Sequence, residues 1–142
     1  MKNTHIKKEH ARCDHIIFYM HAGSGNHGCE AIVNSTCKMI EHPVAVVTNS
    51  VTEDERYSLK GLCALMQERK FADHRIAHIL YYLYRALTGN KESFIDYRYH
   101  LVFGKKMSPL AVSIGGDNYC YDIMVNDLML ANRAFHRKGT AT

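Results

Sequence analysis

The segment AGSGNHGCE at residues 22–30 combines residue types that bind polar ligands. It offers the backbones of Gly25 and Gly28 together with the side chains of Asn26 and His27. Glycine lets a ligand approach the backbone closely, and groups beside a helix N-terminus suit an anion or a polyhydroxyl ligand. The simpler alternative is a tight strand-to-helix turn, but such a turn requires neither the amide nor the imidazole. We therefore predict that these four residues bind substrate.

A second segment, IGGDNYCY, places a carboxylate behind two glycines. Gly115 and Gly116 are followed by Asp117, Asn118 and Tyr119. A carboxylate beside an amide and a phenol, at the carboxyl end of a strand, can hold vicinal hydroxyls or take a proton from one of them. The alternative is that Asp117 caps the helix that follows. We predict that the five residues contribute to the same site as the first segment.

The first segment also matches the dinucleotide-binding pattern G-x-G-x-x-G through Gly23, Gly25 and Gly28. That pattern requires an acidic residue about twenty positions further on, at the end of the second strand, to bind ribose hydroxyls. The second predicted strand instead ends in VTNS, and the nearest acid, Glu53, lies beyond it. An NAD-dependent oxidoreductase is therefore the less favoured alternative.

Composition limits the remaining classes of function. The chain has 142 residues, which is the size of one domain. Its residues are 46% hydrophobic and 23% charged, which is typical of a globular protein. A net charge of +4 gives little reason to expect a nucleic acid partner. The five cysteines form no C-x-x-C pair, and no apolar run is long enough to span a membrane. We predict a cytoplasmic protein with no integral membrane segment, no metal and no cofactor.

Strand and helix patterns alternate along the chain after a polar leader at residues 1–14. We predict strands at 15–21, 44–48, 63–66 and 110–114, and helices from 26–28 to before 42, at 52–62, 73–87 and 122–137. The 52–62 helix rests on a capping-box pattern of Thr52 and Glu55. Alternation of this kind predicts an α/β fold, with residues 15–142 forming a single Rossmann-like domain that has an open parallel sheet and helices on both faces.

The two glycine segments resemble the two N-terminal signatures of the polysaccharide pyruvyl transferase family. The similarity covers AGSGNHGCEAIV at 22–33 and VSIGGDNYCY at 112–121, and Asn132 with the Lys-Gly pair at 138–139 fits the helix and turn that follow. The resemblance implies the N-terminal half of a two-domain enzyme similar to GT-B glycosyltransferases. Such an enzyme transfers a pyruvyl group from phosphoenolpyruvate to a sugar hydroxyl in polysaccharide biosynthesis.

The resemblance also suggests partners and roles. The partners would be phosphoenolpyruvate and a glycan or lipid-linked sugar acceptor, with Asp117 and His27 as catalytic candidates near the acceptor. Family members are more than twice as long, and their phosphoenolpyruvate-handling residues lie in a C-terminal half. We therefore expect a truncated chain that releases no phosphate from phosphoenolpyruvate by itself. Homo-oligomerisation, pairing with a C-terminal half, and a non-catalytic binding module all stay open.

Overall fold

Strands and helices alternate along the part of the chain that the structure, a computed structural model, describes. That part comprises residues 15–68, 75–93, 95–97, 110–116, 120, 122–137 and 139–142. The strands are β1 (Ile16–His21), β2 (Val44–Thr48), β3 (Ala64–Gln67) and β4 (Ala111–Ser113), and the labelled helices are α1 (His27–Met39), α2 (Val51–Asp54), α3 (Arg75–Thr88) and α4 (Asp122–Arg137). The predicted strands and three of the four predicted helices are confirmed, with ends that shift by a few residues at most.

The four strands form one parallel sheet in the order β3-β2-β1-β4. The chain builds outwards from β1 through β2 to β3, and then β4 returns to the other side of β1. Beyond α4, Ala141 forms a parallel bridge with Leu110 at the far side of β4. The predicted parallel α/β sheet is confirmed, whereas the similarity to a GT-B enzyme stays a prediction.

Successive residues of β1 face opposite sides of the sheet and enter two separate cores. Ile17 and Tyr19 pack with Phe135 of α4, whereas Phe18 packs with Val33 of α1. All five side chains are at most 1% exposed. Helices therefore cover both faces of the sheet, as predicted, and β1 is the strand that both cores share.

The predicted helix at 52–62 is wrong in extent and in its start. Helix α2 has only four residues, and Ser50 caps it by accepting a hydrogen bond on Oγ from the Glu53 N–H at 3.3 Å. The N-cap is therefore Ser50, two residues before the predicted cap Thr52. The capping box is not closed, because the Ser50 N–H donates to Thr48 Oγ1 and the Glu53 carboxylate accepts from the Gly25 N–H. The backbone of Ser50 is extended directly after β2, which suits a cap and starts the helix early.

Helix α3 confirms the strongest helical prediction but does not bury its apolar row. Ile76 and Leu87, at its two ends, are 77% and 84% exposed. Tyr81, on another face, stacks its ring on Tyr97 at 4.4 Å between centroids. A helix with such a row normally packs it against the core. In this chain the row faces solvent.

Candidate functional site

The two glycine loops follow neighbouring strands, because β1 pairs with β4. The Tyr19 carbonyl accepts a hydrogen bond from the Ile114 N–H at 3.0 Å, which joins the strands just before both loops begin. A Cβ placed on Gly116 would lie 3.7 Å from Cδ1 of Ile32 in α1, so the second loop also reaches the helix that follows the first. In open α/β sheets, ligands bind where the strand order reverses, at the carboxyl ends of the strands. Both loops lie at that point.

Carboxylates of α2 hold the backbone of the first loop. The Ser24 N–H donates to Asp54 Oδ1 at 2.8 Å, and the Gly25 N–H donates to Glu53 Oε1. A Cβ on Gly23 would lie 3.3 Å from Glu53 Oε1, and one on Gly25 would collide with the same oxygen. Consecutive loop N–H groups commonly bind anions. Here the anions are the protein's own side chains, which explains the glycines on physical grounds.

Beneath the loop lies a buried polar cluster formed by His21, Ser24 and Asp54. Each of these residues is at most 1% exposed. His21 Nε2 lies 3.4 Å from Asp54 Oδ1, the oxygen that also accepts from the Ser24 N–H. Among the described residues, His21 Nδ1, Ser24 Oγ and Asp54 Oδ2 have no hydrogen-bond partner. The cluster joins the end of β1, the first loop and α2 in one polar contact.

A β-bulge in β1 accompanies the position of His21. Phe18 pairs with Val46 and His21 pairs with Thr48, so β1 carries one more residue than β2 over this interval. Within it, Met20 has a φ of 64°, which is unusual for a residue other than glycine. Bulges change the direction in which side chains point and are common beside functional sites. Here the bulge immediately precedes the buried imidazole.

The structure assigns Asn26 to helix capping. Its Oδ1 accepts from the N–H groups of Gly28 at 3.0 Å and Cys29 at 3.3 Å, which satisfies two free donors at the start of α1. Capping gives a structural reason for the amide at this position. His27 is exposed, and its ring meets the ring of Tyr57 edge to face at 5.7 Å. The substrate-binding and catalytic roles of these residues stay predictions.

The second loop is described only in part. Gly115 is half-buried and Gly116 is exposed, as a ligand-facing turn requires. Asp117, Asn118 and Tyr119 lie outside the described residues, so their proposed catalytic and binding roles stay predictions.

Two thiols, Cys37 and Cys63, are poorly suited to nucleophilic chemistry. Burial raises the pKa of Cys63 to about 12, with further contributions from Cys37 and Asp54, and burial also raises the pKa of Cys37. A thiol with a raised pKa stays protonated at neutral pH, and the protonated form is a weak nucleophile. In the described ranges, no group of three or more His, Cys, Asp or Glu side chains is placed to hold a metal ion.

Sequence reasoning missed the role of α2 in this site. It noted Glu53 only as an acid in the wrong position for ribose, and it did not single out Ser24 or Asp54. The available signal was the capping-box pattern of Ser50 with Glu53, directly after a predicted strand. This pattern predicts a helix start that places the carboxylates of Glu53 and Asp54 in the first turn. The partner of those carboxylates, a loop 28 to 30 residues earlier in the chain, required the strand order.

No family model, curated protein or solved structure matches this chain. In the described part of the chain, no helix is long and apolar enough to cross a membrane. Function is therefore inferred from the residues of the chain itself.

The contact between Gly25 and Glu53 can be tested by a double-mutant cycle. We expect Gly25→Ala to lower the free energy of unfolding by about 1 to 2 kcal/mol, because the added Cβ displaces a carboxylate from a partly exposed, charge-assisted hydrogen bond. In a Glu53→Ala background the same change should cost less than about half as much, because the obstructing oxygen is gone. Urea unfolding followed by far-UV circular dichroism measures all four chains. An equal cost in both backgrounds would rule out the contact as the reason for glycine.

Proposed function

We propose that this chain is the N-terminal domain of a polysaccharide pyruvyl transferase-like enzyme. In the proposed reaction, a pyruvyl group passes from phosphoenolpyruvate to a sugar hydroxyl during polysaccharide synthesis. The two glycine loops form the wall of the cleft that receives the sugar acceptor. An acid protonates the methylene carbon of the donor, and the acceptor oxygen bonds to the adjacent carbon while a base takes the hydroxyl proton. The bond from that carbon to the phosphate oxygen breaks and phosphate leaves, and a second sugar hydroxyl then bonds to the same carbon, with loss of its proton, to close a ketal.

The observation that supports this proposal is the position of both glycine loops at the strand-order reversal, on adjacent parallel strands. The two segments that carry the family resemblance are separated by 78 residues in sequence, yet the sheet places the strands that lead into them beside each other. Exposed His27 lies at the start of α1, where the positive end of the helix dipole favours an anionic or hydroxyl-bearing ligand. Asp117 is the proposed base for the acceptor hydroxyl.

The position of Glu53 weighs against the oxidoreductase alternative. In a dinucleotide-binding loop, the second glycine allows the backbone to approach the pyrophosphate. Here the Glu53 carboxylate occupies that side of Gly23 and Gly25 and accepts the Gly25 N–H. A pyrophosphate would meet a negative charge at the place where it needs free donors.

A non-catalytic interaction module is the second candidate function. The specific observation that favours it is the exposed apolar row of α3, which a self-contained enzyme domain would be expected to bury.

The acceptor-wall proposal predicts where ligands contact the chain. In two-dimensional ¹H–¹⁵N NMR spectra, addition of sugar acceptors should shift the amides of Gly25, Gly28, Gly115 and Gly116, with affinities in the millimolar range. His27→Ala should weaken these shifts, because it removes an exposed side chain at the start of α1, directly after the first loop. His42→Ala is the matched control. His42 is also exposed, but it lies before the amino end of β2, whereas the two glycine loops lie at the carboxyl ends of their strands.

Two results would contradict the proposal. Shifts of the same glycines with NADH alone would favour the oxidoreductase. The absence of any response to every sugar acceptor tested would favour the interaction module.

A further inference from the structure

Helix α3 presents a row of large apolar side chains to solvent. We define the α3 stripe as Ile76, Leu80, Leu83 and Leu87, which are 77%, 61%, 54% and 84% exposed. Ile79 and Tyr84 lie on its flanks and are exposed as well. Contiguous apolar patches of this kind mark sites of association in soluble proteins.

Among the described residues, α3 contacts the segment at 95–97 through a different face. Tyr81 stacks on Tyr97, and Tyr81 and Arg85 are less exposed than the stripe residues. On a helix, positions 81 and 85 lie roughly opposite positions 80, 83 and 87. Turning the stripe inwards would therefore break the contact that α3 makes with Tyr97, and the described part of the chain leaves the stripe exposed.

The sequence spacing between the stripe residues is the same whether α3 is followed from its N-terminus or from its C-terminus. Gaps of four, three and four residues separate its members. In an antiparallel pair of α3 helices related by a two-fold axis at the level between residues 81 and 82, Ile76 faces Leu87 of the second copy, and Leu80 faces Leu83. Two-fold interfaces require this reciprocity, in which residue i meets j and j meets i. The stripe of a second copy meets this requirement.

Charge and area also fit a second copy. Helix α3 has no acidic residue, and its two arginines avoid the stripe: Arg75 precedes Ile76, and Arg85 lies on the opposite face. No like charges are therefore buried by the pairing. If a fully exposed side chain of this size presents on the order of 200 Å², the stripe and its flanks offer roughly 700 to 800 Å² per copy, close to the half-share of a standard interface.

We propose that two copies of this chain associate through the α3 stripe as an antiparallel helix pair. The proposal does not depend on the pyruvyl transfer reaction, because the stripe and the glycine loops belong to different elements. In such a dimer the apolar row of α3, which is exposed in one copy, becomes buried.

Sedimentation equilibrium of the full chain, from micromolar to tens of micromolar, tests the proposal. The native chain should show a mass approaching twice 16.2 kDa. Leu80→Glu should raise the dissociation constant at least about tenfold, because it buries an unpaired charge against Leu83 of the second copy. The double variant Leu80→Glu/Leu83→Lys should restore much of the association, because the two-fold axis then brings opposite charges together twice.

Met39→Glu is the matched control. Met39 is 82% exposed at the end of α1, so the change adds the same charge to an exposed apolar position outside the stripe. Its dissociation constant should equal that of the native chain. Far-UV circular dichroism establishes that each variant is folded, as expected for changes at exposed positions.

Three results would overturn the proposal. The first is a native chain that stays monomeric throughout the concentration range. The second is equal weakening by Leu80→Glu and Met39→Glu, which would indicate non-specific apolar association. The third is failure of the double variant to recover any association, which would exclude the antiparallel register.

Discussion

The Asp54→Ala variant is expected to lose about 3 to 5 kcal/mol of unfolding free energy. Asp54 Oδ1 is the acceptor for the Ser24 N–H and lies within reach of His21 Nε2, and all three residues are buried. Removing the carboxylate leaves both nitrogens without an acceptor where water has little access. Each buried polar group left unpaired costs about 1 to 3 kcal/mol. Small domains are stabilised by about 5 to 15 kcal/mol, so the loss is a large part of the total.

Two variants separate this effect from a general loss of charge. Asp54→Asn keeps an oxygen that can accept from the Ser24 N–H, and it should cost markedly less than Asp54→Ala. Glu55→Ala removes an exposed carboxylate from the next position and should change stability by no more than about 0.5 kcal/mol. Urea unfolding followed by circular dichroism and tyrosine fluorescence measures each, since the chain has nine tyrosines and no tryptophan. A cost below about 1 kcal/mol for Asp54→Ala would show that the cluster does not hold the loop.

The sequence was sufficient for most of the fold because local patterns were strong. The apolar run of β2 has five consecutive buried residues, and Pro43 separates it from α1, so its limits were predicted without error. The start of the short helix α2 was predicted wrongly because two overlapping capping-box patterns are present in the sequence, Ser50 with Glu53 and Thr52 with Glu55. The choice between them depends on where β2 ends, and a capping motif alone does not specify that point.

The site was less predictable because its contacts join segments that are distant in the chain. The presence of glycine at 23 and 25 indicated a close approach to the backbone, but the group that approaches is Glu53, 28 residues beyond Gly25. Asn26 is predicted to bind ligand; the structure shows that its side chain caps α1, and its ligand-binding role stays a prediction. Local sequence shows that a loop has special requirements. Only the order of the strands shows which side chains accept hydrogen bonds from the backbone of that loop.

The α3 stripe is a surface whose apolar character the sequence predicts, but whose binding partner it does not. The periodicity of α3 predicts one apolar face, and that prediction is confirmed. Periodicity does not say what covers the face, because the same pattern suits a core helix and a helix at an interface between copies. The contact made by Tyr81 on another face is what distinguishes the two.

The Phe135→Ala variant is also expected to lose about 3 to 5 kcal/mol, for a different reason. Phe135 is fully buried, and its ring centroid lies 4.7 Å from that of Tyr19 in β1. Its removal leaves a cavity between α4 and the strand that both cores share. Because α4 follows the second glycine loop and Tyr19 bonds to Ile114 just before that loop, the loss should also loosen the second half of the proposed site.

Phe135→Leu and Tyr19→Phe identify the cause of that loss. The leucine variant fills most of the volume and should cost no more than about 1.5 kcal/mol. The Tyr19→Phe change keeps the ring but removes the hydroxyl that donates to Asn132 Oδ1, with an expected cost of about 1 kcal/mol. Equal costs for Phe135→Ala and Phe135→Leu would show that ring contact, and not filled volume, holds α4. Amide exchange at Gly115 and Gly116 should accelerate in Phe135→Ala well before global unfolding, because α4 supports the loop that precedes it.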